Sequence, residues 1–290
     1  MGKRAAEPPF ACARFPGHAD AGARERYTST VPPLSKAKHM IEPSRAALLL
    51  IDMQNGFIEP TSALCVAGAK GIVPACARAL DSARARGIAI FHVRRAYQAD
   101  GSDVEPCRYS AWVAGGKPLS TACDDAGSLN WPDLLTPADG DRVMVKPRFS
   151  AFFGTPLDEL LSREGRDTVV LAGTNTANCV RSTCYDALSL NYNVIVLEDA
   201  TAAPSPSVQR ANLADMQAVG AQIMSASEFE RHGLAHAEDV VGNVARAIEA
   251  ERNAHACRNA DAPDREQPDA GKADLAGGKT LPPCRAPKGI

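Results

Sequence analysis

The stretch Asp167-Thr-Val-Val-Leu-Ala172 and its continuation Gly173-Thr-Asn-Thr-Ala-Asn-Cys-Val-Arg-Ser-Thr-Cys-Tyr-Asp186 decide how this chain is read. The first part is a short apolar run with two valines, bounded by a charged residue and a glycine, which is the composition of a buried parallel strand. After it, Val180, Thr183, Cys184, Ala187 and Leu188 recur at the i, i+3, i+4 spacing of an amphipathic helix. Cys179 therefore falls in the first turn of a helix, above the carboxyl end of a strand. Backbone N–H groups there are unpaired and partially positive, which favours a thiolate over a thiol. Open α/β sheets also bind their ligands at that end of the strands. Cys179 is a candidate nucleophile on position alone.

Outward from this segment the same alternation repeats. Strands are expected at Ala46 to Ile51, Ile88 to Val93, Arg142 to Val145, Thr168 to Ala172, Asn193 to Leu197 and Gln222 to Ser225. Helices are expected at Ile72 to Arg86, Pro156 to Arg163 with Thr155 as N-cap, Asn178 to Leu190, Ser207 to Val219 capped by Ser207, and Ala237 to Arg252. Strand–helix alternation specifies an α/β fold: a doubly wound, Rossmann-like, mostly parallel six-stranded sheet with helices on both faces. Residues 1–40 read as a flexible arm, 41–253 as the folded domain and 254–290 as a disordered tail. From Arg95 to about Asp139 no strand signal appears, but Tyr97, Arg108, Trp112, Trp131 and a cluster of charges do. A stretch of that length and composition reads as a lid or pocket wall over the strand ends.

Composition narrows the function classes. The 290 residues are 45% hydrophobic and 23% charged, with a net charge of −2, which gives no electrostatic reason to expect nucleic acid or a membrane as partner. Nine cysteines at irregular spacing, without a C-x-x-C pair, fit reduced thiols and a cytoplasmic location rather than a disulfide scaffold. Arginines in the first forty residues leave an organelle-targeting reading open.

Three strand ends carry reactive groups. Asp52 follows the first, Lys146 the third, and Cys179 the turn after the fourth. A parallel sheet gathers its carboxyl ends at one edge, so a nucleophile, a carboxylate able to take its proton and a cation converge there. No His follows Cys179 at a strand end, so a papain-like Cys–His pair has little support. Each group also has a plain reading: a small core residue for Cys179, a turn residue for Asp52 and a solvated edge charge for Lys146.

Three segments, Leu50-Ile-Asp-Met-Gln-Asn-Gly-Phe57, Lys146-Pro-Arg-Phe-Ser-Ala-Phe-Phe-Gly-Thr155 and Gly173 to Ala187, resemble in order and spacing the signature segments of the isochorismatase-like cysteine hydrolases. The resemblance implies an Asp52–Lys146–Cys179 triad and a non-proline cis peptide at Thr174–Asn175. It also implies an oxyanion hole made by the backbone N–H groups of Asn175 and Cys179, and a homo-oligomer (dimer or tetramer). The implied reaction is hydrolysis of a C–N bond in a small amide, carbamoyl or ureido substrate, through a covalent thioester or thiocarbamate and with release of ammonia. No cofactor is expected. A nicotinamidase-like metal site is disfavoured because His92 is the one histidine in the relevant segment and sits mid-strand. Substrate contacts are expected from Gln54, Phe57, Arg94, Tyr97, Arg108 and Trp112, with Arg94 and Arg108 as partners for an acidic substrate. Asn212 and the Asn-Thr-Ala-Asn-Cys-Val-Arg sequence around the nucleophile depart from the commoner family pattern. Three other readings stay open: a nicotinamidase-like amidase, a non-catalytic interaction module, and a redox role for Cys179 and Cys184.

Overall fold

Six short runs of apolar and β-branched residues pair into a single all-parallel sheet. In the computed structural model, which describes residues 39–122 and 126–260, the strands are β1 (Ala46–Ile51), β2 (Ala89–Arg94), β3 (Arg142–Val145), β4 (Thr168–Thr174), β5 (Asn193–Ala202) and β6 (Gln222–Met224). Their order is β3-β2-β1-β4-β5-β6. The chain winds outward from β1 to one edge, returns, and winds from β4 to the other, so the order reverses between β1 and β4. Crevices open at such switch points, outside the carboxyl ends of the strands.

Every residue of β1 and β4 is buried, as expected where helices cover both faces. On one face Leu48, Leu50 and Val170 pack against Cys76, Ala79, Leu80 and Ala83 of α2 (Val73–Ala85), with Phe229 beside them. On the other, Leu49, Ile51 and Leu171 meet Leu157 and Leu161 of α4 (Leu157–Arg163) and Cys184 and Ala187 of α5 (Arg181–Ser189). Met216 of α6 (Pro206–Ala218) completes that layer. Each leucine, isoleucine, valine, phenylalanine or methionine among them contributes about 1.5–3 kcal/mol on full burial.

The remaining helices are α1 (Asn55–Ile58), α3 (Pro106–Ala114), α7 (Ala226–His232) and α8 (Val240–Ala260). Helix α8 runs beyond the expected domain boundary at 253. The expected arm, apart from His39 and Met40, and the tail beyond Ala260 lie outside the described residues. Several details differ from the sequence reading. Helix α4 starts at Leu157 with Pro156 at its N-cap, so Thr155, the expected cap, stands one residue earlier and its hydroxyl accepts from the Leu157 N–H at 3.3 Å. Strand β5 continues through Glu198 to Ala202, pairing Thr201 and Ala202 with Gly173 and Thr174 after a register shift in β4. The cap of α6 is Ser205, whose hydroxyl accepts from the Val208 N–H at 3.3 Å, not Ser207. With Pro206 at the first helical position, the helix starts earlier than the apolar period alone implied.

Between β2 and β3, Tyr97, Val104, Trp112 and Leu119 build a small core together with Phe57 of the segment after β1. The β2–β3 segment contains α3, and Tyr97 forms an isolated bridge with Ser120. Among the described residues no helix is long and apolar enough to cross a membrane.

Candidate active site

Asp52 leaves β1 with φ 53°, a left-handed conformation that Asp tolerates better than most residues. Its N–H still donates to the Val93 carbonyl at 2.8 Å, so the strand ladder ends while the chain turns. The carboxylate that results is fully buried at the sheet edge. Lys146 follows β3, its N–H held by the Arg94 carbonyl at 2.9 Å. Its ammonium is buried and has three neighbours: Asp52 Oδ2 at 2.8 Å, the Arg148 carbonyl at 3.0 Å and Cys179 Sγ at 3.4 Å. An ammonium has three protons, so this environment satisfies it. Apart from Lys146, no N–H or O–H donor completes a hydrogen bond to the Asp52 oxygens among the described residues.

Cys179 lies in a single wide π-helical turn, Thr176–Val180, that leads into α5. Such turns are frequent at functional sites. The Thr174–Asn175 peptide before it is cis. Asn175 caps the turn, its Oδ1 accepting from the Ala177 N–H at 3.0 Å. Thr183, one turn on, donates its hydroxyl to the Cys179 carbonyl at 2.7 Å and accepts from the Ala151 N–H at 2.9 Å. That one hydroxyl ties the turn of Cys179 to the segment following Lys146. Gly173, at φ 114°, lets β4 approach Ile51, because a Cβ there would collide with the Ile51 backbone. Only glycine brings the turn that close to Asp52.

The charge state of the sulfur differs from the expectation drawn from the helix start. Burial, and then the negative charge of Asp52, push the Cys179 thiol above its ordinary range; Lys146 and Arg108 pull the other way. Desolvation of a thiolate is the dominant effect, so the resting form is the thiol.

Cys179 and Asp52 open into a cavity of 250 Å³, also lined by Phe57, Leu64, Cys65, Arg108 and Asn175. Arg108 lies across the Phe149 ring, its guanidinium carbon 4.8 Å from the centroid, and its buried Nη1 has no hydrogen-bond partner. A guanidinium with an unused donor facing a thiol site is equipped to hold an anionic group.

Of the expected substrate contacts, Phe57 and Arg108 reach the cavity and four do not. Gln54 is buried, with its amide spent on the backbone: Oε1 accepts from Arg95 N–H at 2.8 Å, and Nε2 donates to the Arg95 and Leu129 carbonyls at 2.9 and 3.1 Å. It clamps the end of β1 to the segment leaving β2. Arg94 lies over Trp131, 5.1 Å from its ring centroid, and lines no part of the cavity. Tyr97 and Trp112 meet edge to face at 5.9 Å within the small core that they share with Phe57. Their polar ends go to Glu105 Oε2 and to the Pro118 carbonyl. The wall residues that the sequence reading missed, Ala63 to Val66 and Pro204, come from irregular segments without a periodic signal.

His92 is fully buried in β2, with Nε2 at 3.1 Å from Asp141 Oδ2 and its ring edge-on to Trp131. Among the described residues no group of three or more His, Cys, Asp or Glu side chains is arranged to hold a metal ion. Cys184 is enclosed in the core, and burial pushes its thiol up to about 12. That leaves it inert as a redox partner for Cys179.

A thiol, a carboxylate and an ammonium meeting at the switch point of a doubly wound sheet have the equipment of a cysteine hydrolase. The chain belongs to the isochorismatase family, whose isochorismatase domain matches residues 46–228. A probable inactive nicotinamidase of Arabidopsis thaliana is 41% identical over 187 residues, covering 63% of this chain and 93% of that protein. A ureidoacrylate amidohydrolase of Methylobacterium radiotolerans is 32% identical over 235 residues, covering 74% of this chain and 91% of that one. The solved structure of an isochorismatase family protein from Desulfovibrio vulgaris subsp. vulgaris str. Hildenborough superposes with a TM-score of 0.61 at 42% identity, over 64% of this chain and 97% of the other.

Proposed function

We propose that this protein is a metal-independent cysteine amidohydrolase whose substrate is a small, acidic amide or ureido compound. It is a hydrolase of carbon–nitrogen bonds other than peptide bonds. The observation that carries the mechanism is the placement of the Lys146 ammonium 2.8 Å from Asp52 and 3.4 Å from Cys179 Sγ, at a cavity that the thiol and carboxylate both line.

Because the resting sulfur is protonated, the reaction starts with proton transfer from Cys179 to Asp52 as the sulfur attacks the carbonyl carbon. Lys146 stabilises the thiolate as it forms, and the backbone N–H groups of Asn175 and Cys179 hold the oxyanion. Asp52 then gives the proton to the departing nitrogen, ammonia leaves, and a thioester or thiocarbamate remains for water to hydrolyse. Arg108 supports an acidic substrate, and the name of the Methylobacterium relative points the same way. His92 supports metal independence: its Nε2 is engaged by Asp141 inside the core. A homo-oligomer is part of the same proposal.

The test is Cys179→Ala assayed against a panel of ureas and primary amides for ammonia release. Turnover should vanish while the circular dichroism spectrum stays unchanged, and wild-type protein quenched in acid should carry an acyl or carbamoyl mass on the peptide containing Cys179. Unimpaired turnover by the mutant would refute the assignment.

A further inference from the structure

Arg108 needs a fixed position to select a charge, yet its helix is poorly anchored. Trp112 is the one buried residue of α3; the rest of the helix is exposed or half-buried. What holds its first turn is Glu105, the N-cap residue, whose carbonyl accepts from the Arg108 N–H at 2.8 Å. The Glu105 carboxylate forms an ion pair with Arg95, and the two side chains are only 4% and 1% exposed. Tyr97 donates its hydroxyl to the other Glu105 oxygen at 2.8 Å. Arg95 in turn donates Nη1 to the carbonyl of Lys146 at 3.2 Å, while Gln54 clamps its backbone.

We propose that the Arg95–Glu105 pair is a positioning latch that docks α3 against the strand ends carrying Lys146 and so holds Arg108 where it recognises an anionic group. This rests on the reading of Arg108 given above. An apolar pair of similar volume is often as stable as a buried ion pair. What a charged pair adds is direction: a carboxylate fixed by a guanidinium and a phenol has one orientation, and the backbone of the helix start follows it. Glu105 and Arg95 line no part of the cavity, so they act through Arg108.

Charge-selective alkylation tests this without a known substrate. Iodoacetate and iodoacetamide are compared at Cys179, with peptide mapping to separate it from Cys65, and the ratio of the two rates is the readout. Arg108→Met should lower the ratio about tenfold, the size of a lost charged hydrogen bond. Glu105→Gln should lower it comparably, and in the Arg108→Met background should lower it no further. Because Glu105→Gln leaves Arg95 buried and unpaired, the double variant Arg95→Met/Glu105→Met is measured in parallel, and Glu105→Asp decides if both fail to fold. An unchanged ratio in Arg108→Met removes the anion reading on which the latch depends. A fall in Arg108→Met alone, or additive losses, overturns the latch and leaves that reading standing. A merely structural role would slow both reagents equally and leave the ratio where it was.

Discussion

The Nζ of Lys146 lies 3.4 Å from the Sγ of Cys179, and the two residues come from opposite sides of the switch point. Lys146 reaches it from the end of β3, at the margin of the sheet; Cys179 comes from the turn after β4, in its middle. The ammonium lowers the energy of a thiolate that burial opposes. It also pairs with the Asp52 carboxylate at 2.8 Å.

Lys146→Met removes both effects at once. We expect kcat/KM to fall about 10²–10³-fold, the range for removing one transition-state donor. The thiol, already raised by burial and Asp52, loses an opposing charge, so its pKa rises further. The pH at which iodoacetamide alkylation of Cys179 accelerates should therefore move to more alkaline values. An unmoved alkylation profile would show that the ammonium does not act on the sulfur.

Gly173→Ala places a methyl group against the Ile51 backbone at a left-handed φ. Strain and overpacking together should lower stability by about 2–5 kcal/mol, read from urea denaturation midpoints. Because the same glycine sets the approach of β4 to Asp52, whatever protein folds should also lose activity. A variant as stable and active as wild type would mean that the close approach is dispensable.

His92 makes stability depend on pH in a known direction. Burial pulls its pKa below the ordinary value of 6.5, against the pull of Asp141. The unfolded chain therefore binds a proton that the folded chain resists, in the window below 6.5. The contribution is fully present above that pH and is lost as pH falls through the folded value. Urea midpoints of wild-type protein should drop as pH goes from about 7 to 5, and His92→Gln should flatten part of that slope.

The sheet was legible because strands covered on both faces must be nearly continuous in apolar residues, and Ala46–Ile51 and Thr168–Thr174 are. The reactive groups were legible because a polar residue ending such a run has one place to go. Asp52, Lys146 and Cys179 all end there. The cavity wall was harder to read. Tyr97 and Trp112 resembled substrate contacts because aromatic residues in a lid serve either a ligand or the lid's own packing, and local sequence does not separate the two. Gln54 sits two residues from Asp52, and only the structure shows its amide filled by three backbone groups. Arg94 and Arg108 looked equivalent; strand alternation sends the first to Trp131 and α3 delivers the second to Cys179. The thiol's protonation state was misjudged because helix-start charge can be read from sequence, whereas the depth at which a sulfur ends up cannot.

Strand β3 is four residues long and pairs only with β2, so the ammonium is attached to an edge of the sheet. Warming that loosens this border would separate Lys146 from its partners while the interior strands still hold. Catalytic competence and structural integrity then have different thresholds, and the protein can fall silent well before it comes apart.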